Sequence, residues 1–274
     1  MNTELSGTRS IRFFRWCNEV LRDSLAIFTA EPTQRRVTAA ILTVTATLLV
    51  WKYYGTQTVF IEWFADGIAT GKDAAMEKNG TIEVLIPTLA ELYRFGMFTL
   101  LVGVVPLILV RGVFRMPLRE FGFTFGETPL QRRAVMWLIL TLVPVFSLVG
   151  VVSTLDPAIR AEFPFNPHAS DSVWLFSIHV GGYLVYYVAW EFCFRGVIQT
   201  LLRAQAGVAT AILVQAAISA IIHLGGPAGE TFSAIVGGIF WGVLRERTGS
   251  LLPGLATHAA MGIALDATLC VGIW

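Results

Sequence analysis

Apolar residues along this chain are gathered into long runs broken by short polar stretches, with no alternation of the strand type. Crossing a hydrocarbon core of about 30 Å takes about 20 mostly apolar residues in a helix. Seven runs approach that length: 37–53, 95–110, 134–152, 173–202, 208–224, 232–244 and 251–273. The fourth holds 30 residues, about 45 Å of helix at 1.5 Å per residue, and is too long for one straight crossing. Gly181-Gly182 offers a break in it. The expected fold is an all-α polytopic transmembrane helical bundle of about seven to eight spans. Between the first two runs, 59–69 and 82–94 read as short interfacial helices. Turns are expected at 71–73 and 78–80 (Gly-Lys-Asp and Lys-Asn-Gly).

Composition agrees with that pattern. The chain is 55% hydrophobic, 14% charged and has a mean hydropathy of +0.65, whereas soluble domains carry about 25% charged residues. A net charge of +1 without a basic stripe argues against nucleic acid as a partner. Cys17, Cys193 and Cys270 show no pairing or metal-type spacing. The first residues are polar and mildly basic, without the short apolar core of a secretory signal.

The loops carry the orientation, because Lys and Arg accumulate on the cytoplasmic side. Arg9, Arg12, Arg15, Arg22, Arg35 and Arg36 precede the first run, and Arg111, Arg115, Arg119, Arg132 and Arg133 lie between the second and third. Arg203 and the 245–247 turn fall on the same side if spans alternate. The opposite loops hold Glu62, Asp66, Asp73, Glu77, Glu83 and Glu91, then Asp156, Glu162 and Asp171. A cytoplasmic N-terminus in a bacterial inner membrane is expected. Residues 1–36 read as a cytoplasmic segment, 37–172 as a transmembrane scaffold, and 173–274 as the helical core that holds the chemistry.

Ionisable residues at membrane depth are costly and mark functional sites by default. Glu191 and Arg195 stand four apart in an apolar run, on one helical face, and can pair directly. Beside an arginine the carboxylate is a candidate general base toward water; the plain alternative is a structural ion pair. His223 ends an apolar run, and an imidazole there can share a water or stabilise an oxyanion, or simply satisfy a helix end. Glu230, seven residues on, suits a helix N-terminus as well as a supporting site role. His258, Gly262 and Asp266 share one face at i, i+4, i+8. His168 and His179 are read as structural. Gly238 and Gly242 form a small-residue packing pair.

Glu191 with Phe194-Arg195-Gly196, then His223, then Arg247-Thr248-Gly249-Ser250 leading to His258-Ala259, resembles the CPBP intramembrane proteases, a family of Ras-converting CAAX prenyl endopeptidases and bacterial bacteriocin-processing or immunity (Abi) proteins. The resemblance covers about residues 180–270. The family pattern is Glu-Glu-x-x-x-Arg, Phe-x-x-x-His and His-x-x-x-Asn/Asp. It implies water activated by a glutamate and the middle histidine, and an oxyanion stabilised by the last histidine with its partner. Here Trp190 stands at the first Glu, Ser219 at the Phe and Gly262 at the final Asn/Asp. Glu191 itself, or Glu230, can supply the carboxylate, and Asp266 can replace the last partner.

The reading is an intramembrane endopeptidase acting on a peptide or protein substrate, lipid-modified or membrane-anchored, with Glu191, Arg195, His223 and His258 catalytic and Glu230 and Asp266 supporting. The competing reading is a catalytically silent relative serving as a membrane scaffold, immunity factor or partner-binding protein. No cofactor is expected. Two histidines and a carboxylate meet the minimum for a catalytic zinc, but no His-Glu-x-x-His string exists.

Overall fold

The computed structural model describes residues 15–23, 26, 31–70 and 81–272; the turns expected at 71–73 and 78–80 and most of the N-terminal segment lie outside them. The fold is an all-α bundle, with no strand among the described residues. Helix α1 is Pro32–Tyr54, α2 Gln57–Thr70, α3 Thr81–Phe98, α4 Pro129–Ser153, α5 Pro157–Glu162, α6 Val173–Glu191, α7 Gln199–Ile222, α8 Ala228–Thr248 and α9 Leu252–Val271.

The helix ends follow from local chemistry. Pro32, Pro129 and Pro157 sit in first turns, where a missing N–H costs nothing. Thr128 and Gln131 close a capping box at the start of α4, and Ser172 accepts from the Leu175 N–H at the start of α6. Gly249, at φ 68°, ends α8 in the left-handed conformation that glycine adopts without strain.

Among the described residues, five helical stretches are long and apolar enough to cross a membrane: Pro32–Tyr54, Thr81–Val113, Pro129–Ser153, Val173–Ile222 and Leu252–Val271. Two differ from expectation. The segment 82–94 is not a separate interfacial helix. It forms most of α3, and the helical stretch continues beyond α3 through the π-helical turns Thr99–Val104 and Leu109–Val113. Glu91, assigned to an acidic loop, is therefore inside the bundle and fully buried.

Nor does the chain break at Gly181-Gly182. Both positions are helical, and a Cβ on Gly182 would lie 2.8 Å from the Phe95 ring. That glycine allows α6 to approach α3. The reversal comes at Gly207, whose φ of 82° and ψ of 168° are non-helical. Gln199 before it and Gln215 after it both reach the neighbourhood of Gly242, with side-chain atoms 3.1 and 2.8 Å from where a Cβ would stand. One straight helix would hold those residues about 24 Å apart. The 50-residue stretch is thus two antiparallel helices, and α8 packs beside α7 in the bundle.

The core forms around the aromatic face of α6. Tyr183, Tyr186 and Trp190 pack on Phe95 and Phe98 of α3, and Trp51 of α1 meets Phe98 edge-on at 5.0 Å. Helix α4 lies along α9 so closely that a Cβ on Gly150 would stand 2.0 Å from the Met261 carbonyl oxygen.

Candidate functional site

Glu191 is the last residue of α6, and the backbone then widens into the π-helical segment Phe192–Ile198, which carries Arg195. Such insertions are frequent at functional sites because they re-aim side chains relative to an α-helical register. Glu191 and Arg195 are each 1% exposed. Arg195 Nη1 stands 3.3 Å from Glu191 Oε1, and His258 Nδ1, arriving from α9, stands 2.8 Å from the same oxygen. With its charge fixed by the guanidinium, the carboxylate accepts, so Nδ1 is the imidazole nitrogen that carries hydrogen. Glu191 Oε2 packs against Gly254, where a Cβ would come within 3.3 Å.

The His258 ring is clamped. Trp241 stacks on it with centroids 4.0 Å apart, and Tyr187 lies at 4.6 Å. Trp241 is itself held by its Nε1–H donating to Thr257 Oγ1 at 3.0 Å. An imidazole anchored at Nδ1 and stacked on one face keeps Nε2 in a fixed direction.

His223 caps the C-terminus of α7, and its Nδ1 donates to the Ser219 carbonyl at 2.8 Å. A carbonyl only accepts, so Nε2 holds the lone pair. Glu230, in the first turn of α8, places Oε1 3.7 Å from that nitrogen, beyond direct hydrogen-bonding distance. Trp190 lies between the two histidines, 5.3 Å from the His223 ring and 6.2 Å from His258, edge-to-face in both cases.

These groups border a cavity of about 830 Å³ lined by Trp190, Arg195, His223, Glu230, Trp241 and His258, among others. Glu191 does not line it. The carboxylate sits behind the cavity surface and reaches it through the imidazole it holds. Two buried donors of cavity-lining residues have no partner among the described residues, Trp190 Nε1 and Arg195 Nε, while Arg195 Nη1 is engaged by the Glu191 carboxylate. Unpaired buried donors are costly unless a ligand group or water meets them.

The structure therefore brings Glu191, Arg195, His223, His258 and Glu230 together, and it leaves Asp266 out. Asp266 Oδ2 lies 2.8 Å from His179 Nε2, and His179 Nδ1 lies 2.6 Å from Glu91 Oε1. All three side chains are 0% exposed. Asp266, expected as a replacement partner of His258, stands eight residues further along α9, about 12 Å from it, in a different polar cluster. Gly262 has no room for the family's side chain, because a Cβ there would lie 1.9 Å from Tyr187 Oη.

Sequence reasoning missed Glu91, Trp190 and Trp241 as parts of these clusters. Glu91 carried a usable signal, an acidic residue flanked by apolar ones at helical spacing. Nothing in the sequence marked the π-helical turn. Among the described residues, no group of three or more His, Cys, Asp or Glu side chains is arranged to hold a metal ion.

Residues 172–264 match the family model described as Type II CAAX prenyl endopeptidase Rce1-like. The match starts at the cap of α6, ends within α9, and contains Glu191 as well as Arg195, His223, Glu230 and His258, which line the cavity. No curated protein and no solved structure matches the chain.

Proposed function

We propose that this integral membrane protein, whose residues 172–264 match the Rce1-like family model, is an intramembrane endopeptidase that hydrolyses a peptide bond inside the cavity. One observation carries the reading: a buried carboxylate holds His258 by Nδ1 while the same ring lines the cavity. An imidazole so held can take a proton at Nε2, and the carboxylate stabilises the imidazolium that forms.

In this mechanism His258 Nε2 removes a proton from a water whose oxygen bonds to the substrate carbonyl carbon. Glu191 orients and charges His258, and Arg195 fixes the charge on Glu191. Trp190 Nε1 and Arg195 Nε, which have no partner among the described residues, are donors for the oxyanion. His258 then returns its proton to the amine as the C–N bond breaks. His223, with its Nε2 lone pair, and Glu230 beside it position the water. Glu191 thus works through the imidazole instead of abstracting the proton itself.

A specific observation favours the silent alternative. Trp190 fills the place of the family's first glutamate, and no carboxylate at that position touches the cavity. One experiment separates the two. The purified full chain in proteoliposomes is incubated with a mixed library of apolar peptides, and products are read by mass spectrometry. His258→Ala should abolish cleavage, and Glu191→Gln should lower it by about 10²–10⁴-fold. Products formed equally by His258→Ala, or by no form of the protein, would refute the endopeptidase.

A further inference from the structure

Resting on the endopeptidase reading, we propose that the cavity is entered from the extracytoplasmic face of the membrane, so that the substrate is an exported, membrane-anchored polypeptide cut near its outer membrane boundary. The inference comes from where the cavity is closed and where it is open.

At one end of the bundle lie the starts of α1, α4 and α9, the ends of α3 and α8, and the Gly207 turn. This end carries Arg35, Arg36, Arg111, Arg115, Arg119, Arg132, Arg133, Arg203, Arg245 and Arg247. His258 is only six residues from the start of α9, about 9 Å along the axis, yet the site does not open here. The segment 118–124 is fastened beneath it. The Leu251 N–H donates to Gly122 O at 2.9 Å, Arg245 Nη2 donates to Glu120 O at 2.9 Å, and Ser250 Oγ donates to Thr124 O. Phe121 is fully buried there, and its carbonyl stands 3.1 Å from where a Cβ on Gly196 would be. No residue of 111–133 or 245–252 lines the cavity.

The cavity rim is made instead by the opposite helix ends. Lys52 and Thr56 come from the end of α1, Ser153 and Asp156 from the end of α4, Glu162 from α5, and Leu224 to Gly226 from the α7–α8 turn. Lys52 Nζ closes one side of the rim by donating to Leu224 O at 3.1 Å. Arginine-rich short loops stay in the cytoplasm, so the sealed end is cytoplasmic and the rim faces outward. Phe146 and Val149 of α4 with Ser233, Val236 and Phe240 of α8 continue the lining from the rim down the side of the bundle. That apolar wall suits a chain that arrives still attached to the bilayer.

The access face is read without any need for activity. In a chain carrying Cys17→Ser, Cys193→Ala and Cys270→Ala, a single Thr56→Cys or Ser153→Cys marks the rim and Glu127→Cys marks the arginine-rich end. A membrane-impermeant maleimide should label the rim cysteines at least about tenfold faster in right-side-out spheroplasts than in inverted vesicles, with Glu127→Cys showing the reverse. In parallel, protein termini are compared between cells expressing the wild type and His258→Ala. The termini lost in the variant should map to extracytoplasmic flanks of membrane-anchored proteins. Rim labelling from the cytoplasmic side, or lost termini on cytoplasmic flanks, overturns the proposal while leaving a protease. Outward labelling with no terminus lost overturns the endopeptidase, and the substrate class with it.

Discussion

Asp266→Ala discriminates between two roles for the single, fully buried acid of α9. If Asp266 served the reaction, its loss would remove activity from a stable protein. The geometry assigns it to a clasp instead: Glu91 of α3, His179 of α6 and Asp266 of α9 meet at 2.6 and 2.8 Å with all three side chains fully buried. Removing one member leaves an imidazole nitrogen without its partner in a fully buried site. Breaking a buried, hydrogen-bonded pair from one side costs about 3–5 kcal/mol, a large part of the roughly 5–15 kcal/mol that holds a typical domain folded. The expected result is a strongly lowered unfolding midpoint in detergent, matched by His179→Ala. The double variant should cost far less than the sum, since the two contacts belong to one network. Cleavage per folded molecule should change by less than about threefold, because the cluster does not line the cavity. An Asp266→Ala protein with an unchanged midpoint and lost cleavage would refute this reasoning and return Asp266 to the oxyanion role.

Restoring the family's residue at position 190 should harm the protein. Trp190→Glu removes an indole that is 3% exposed and stacked on Phe98 at 5.5 Å, and puts a carboxylate in its place. Lost packing alone should lower stability by about 3–5 kcal/mol, seen as a fall in thermal midpoint; a gain of cleavage at undiminished stability would contradict the packing account. Gly150→Ala should separate α4 from α9, since its Cβ would stand 2.0 Å from a backbone oxygen that cannot swing aside. Overpacking of this kind costs about 1–3 kcal/mol, and a midpoint equal to wild type would show that the helices are not in that contact.

Much of the fold was legible because a membrane demands continuous apolar length, and each of the seven runs in the sequence corresponds to a helical stretch of the bundle. The breaks were harder. Gly181-Gly182 and Gly207 look alike in a sequence, but a glycine serves two purposes, close approach and positive φ. Only the packed partner tells them apart: Phe95 faces Gly182, whereas a Cβ on Gly207 would meet nothing within 4 Å. The site was legible in part for a related reason. Glu191, Arg195, His223 and His258 stand out because polar groups in apolar runs need an explanation, and Arg195 and the two histidines do line one cavity, with Glu191 behind them. Helical phase then misdirected Asp266. Sharing a face with His258 fixed its direction but not its height, and at about 12 Å along the axis it meets α3 and α6 instead.

The same distinction explains how a tryptophan can occupy the position of a glutamate without leaving the site empty of acid–base groups. A cavity needs a lone pair at its surface, a charge behind it to stabilise the proton, and donors where negative charge develops. In the mechanism proposed above, His258 supplies the first, Glu191 paired with Arg195 Nη1 supplies the second from behind the surface, and Trp190 Nε1 and Arg195 Nε are the donors for the third. Keeping the carboxylate off the cavity also allows the surface to be aromatic, with Trp190, Trp241 and Tyr187 around both imidazoles. A site of this form depends on the direction of His258 more than on the identity of residue 190. Its weakest point is the Nδ1 contact with Glu191, which makes Glu191→Gln and His258→Ala more informative than any attempt to rebuild the pair of glutamates.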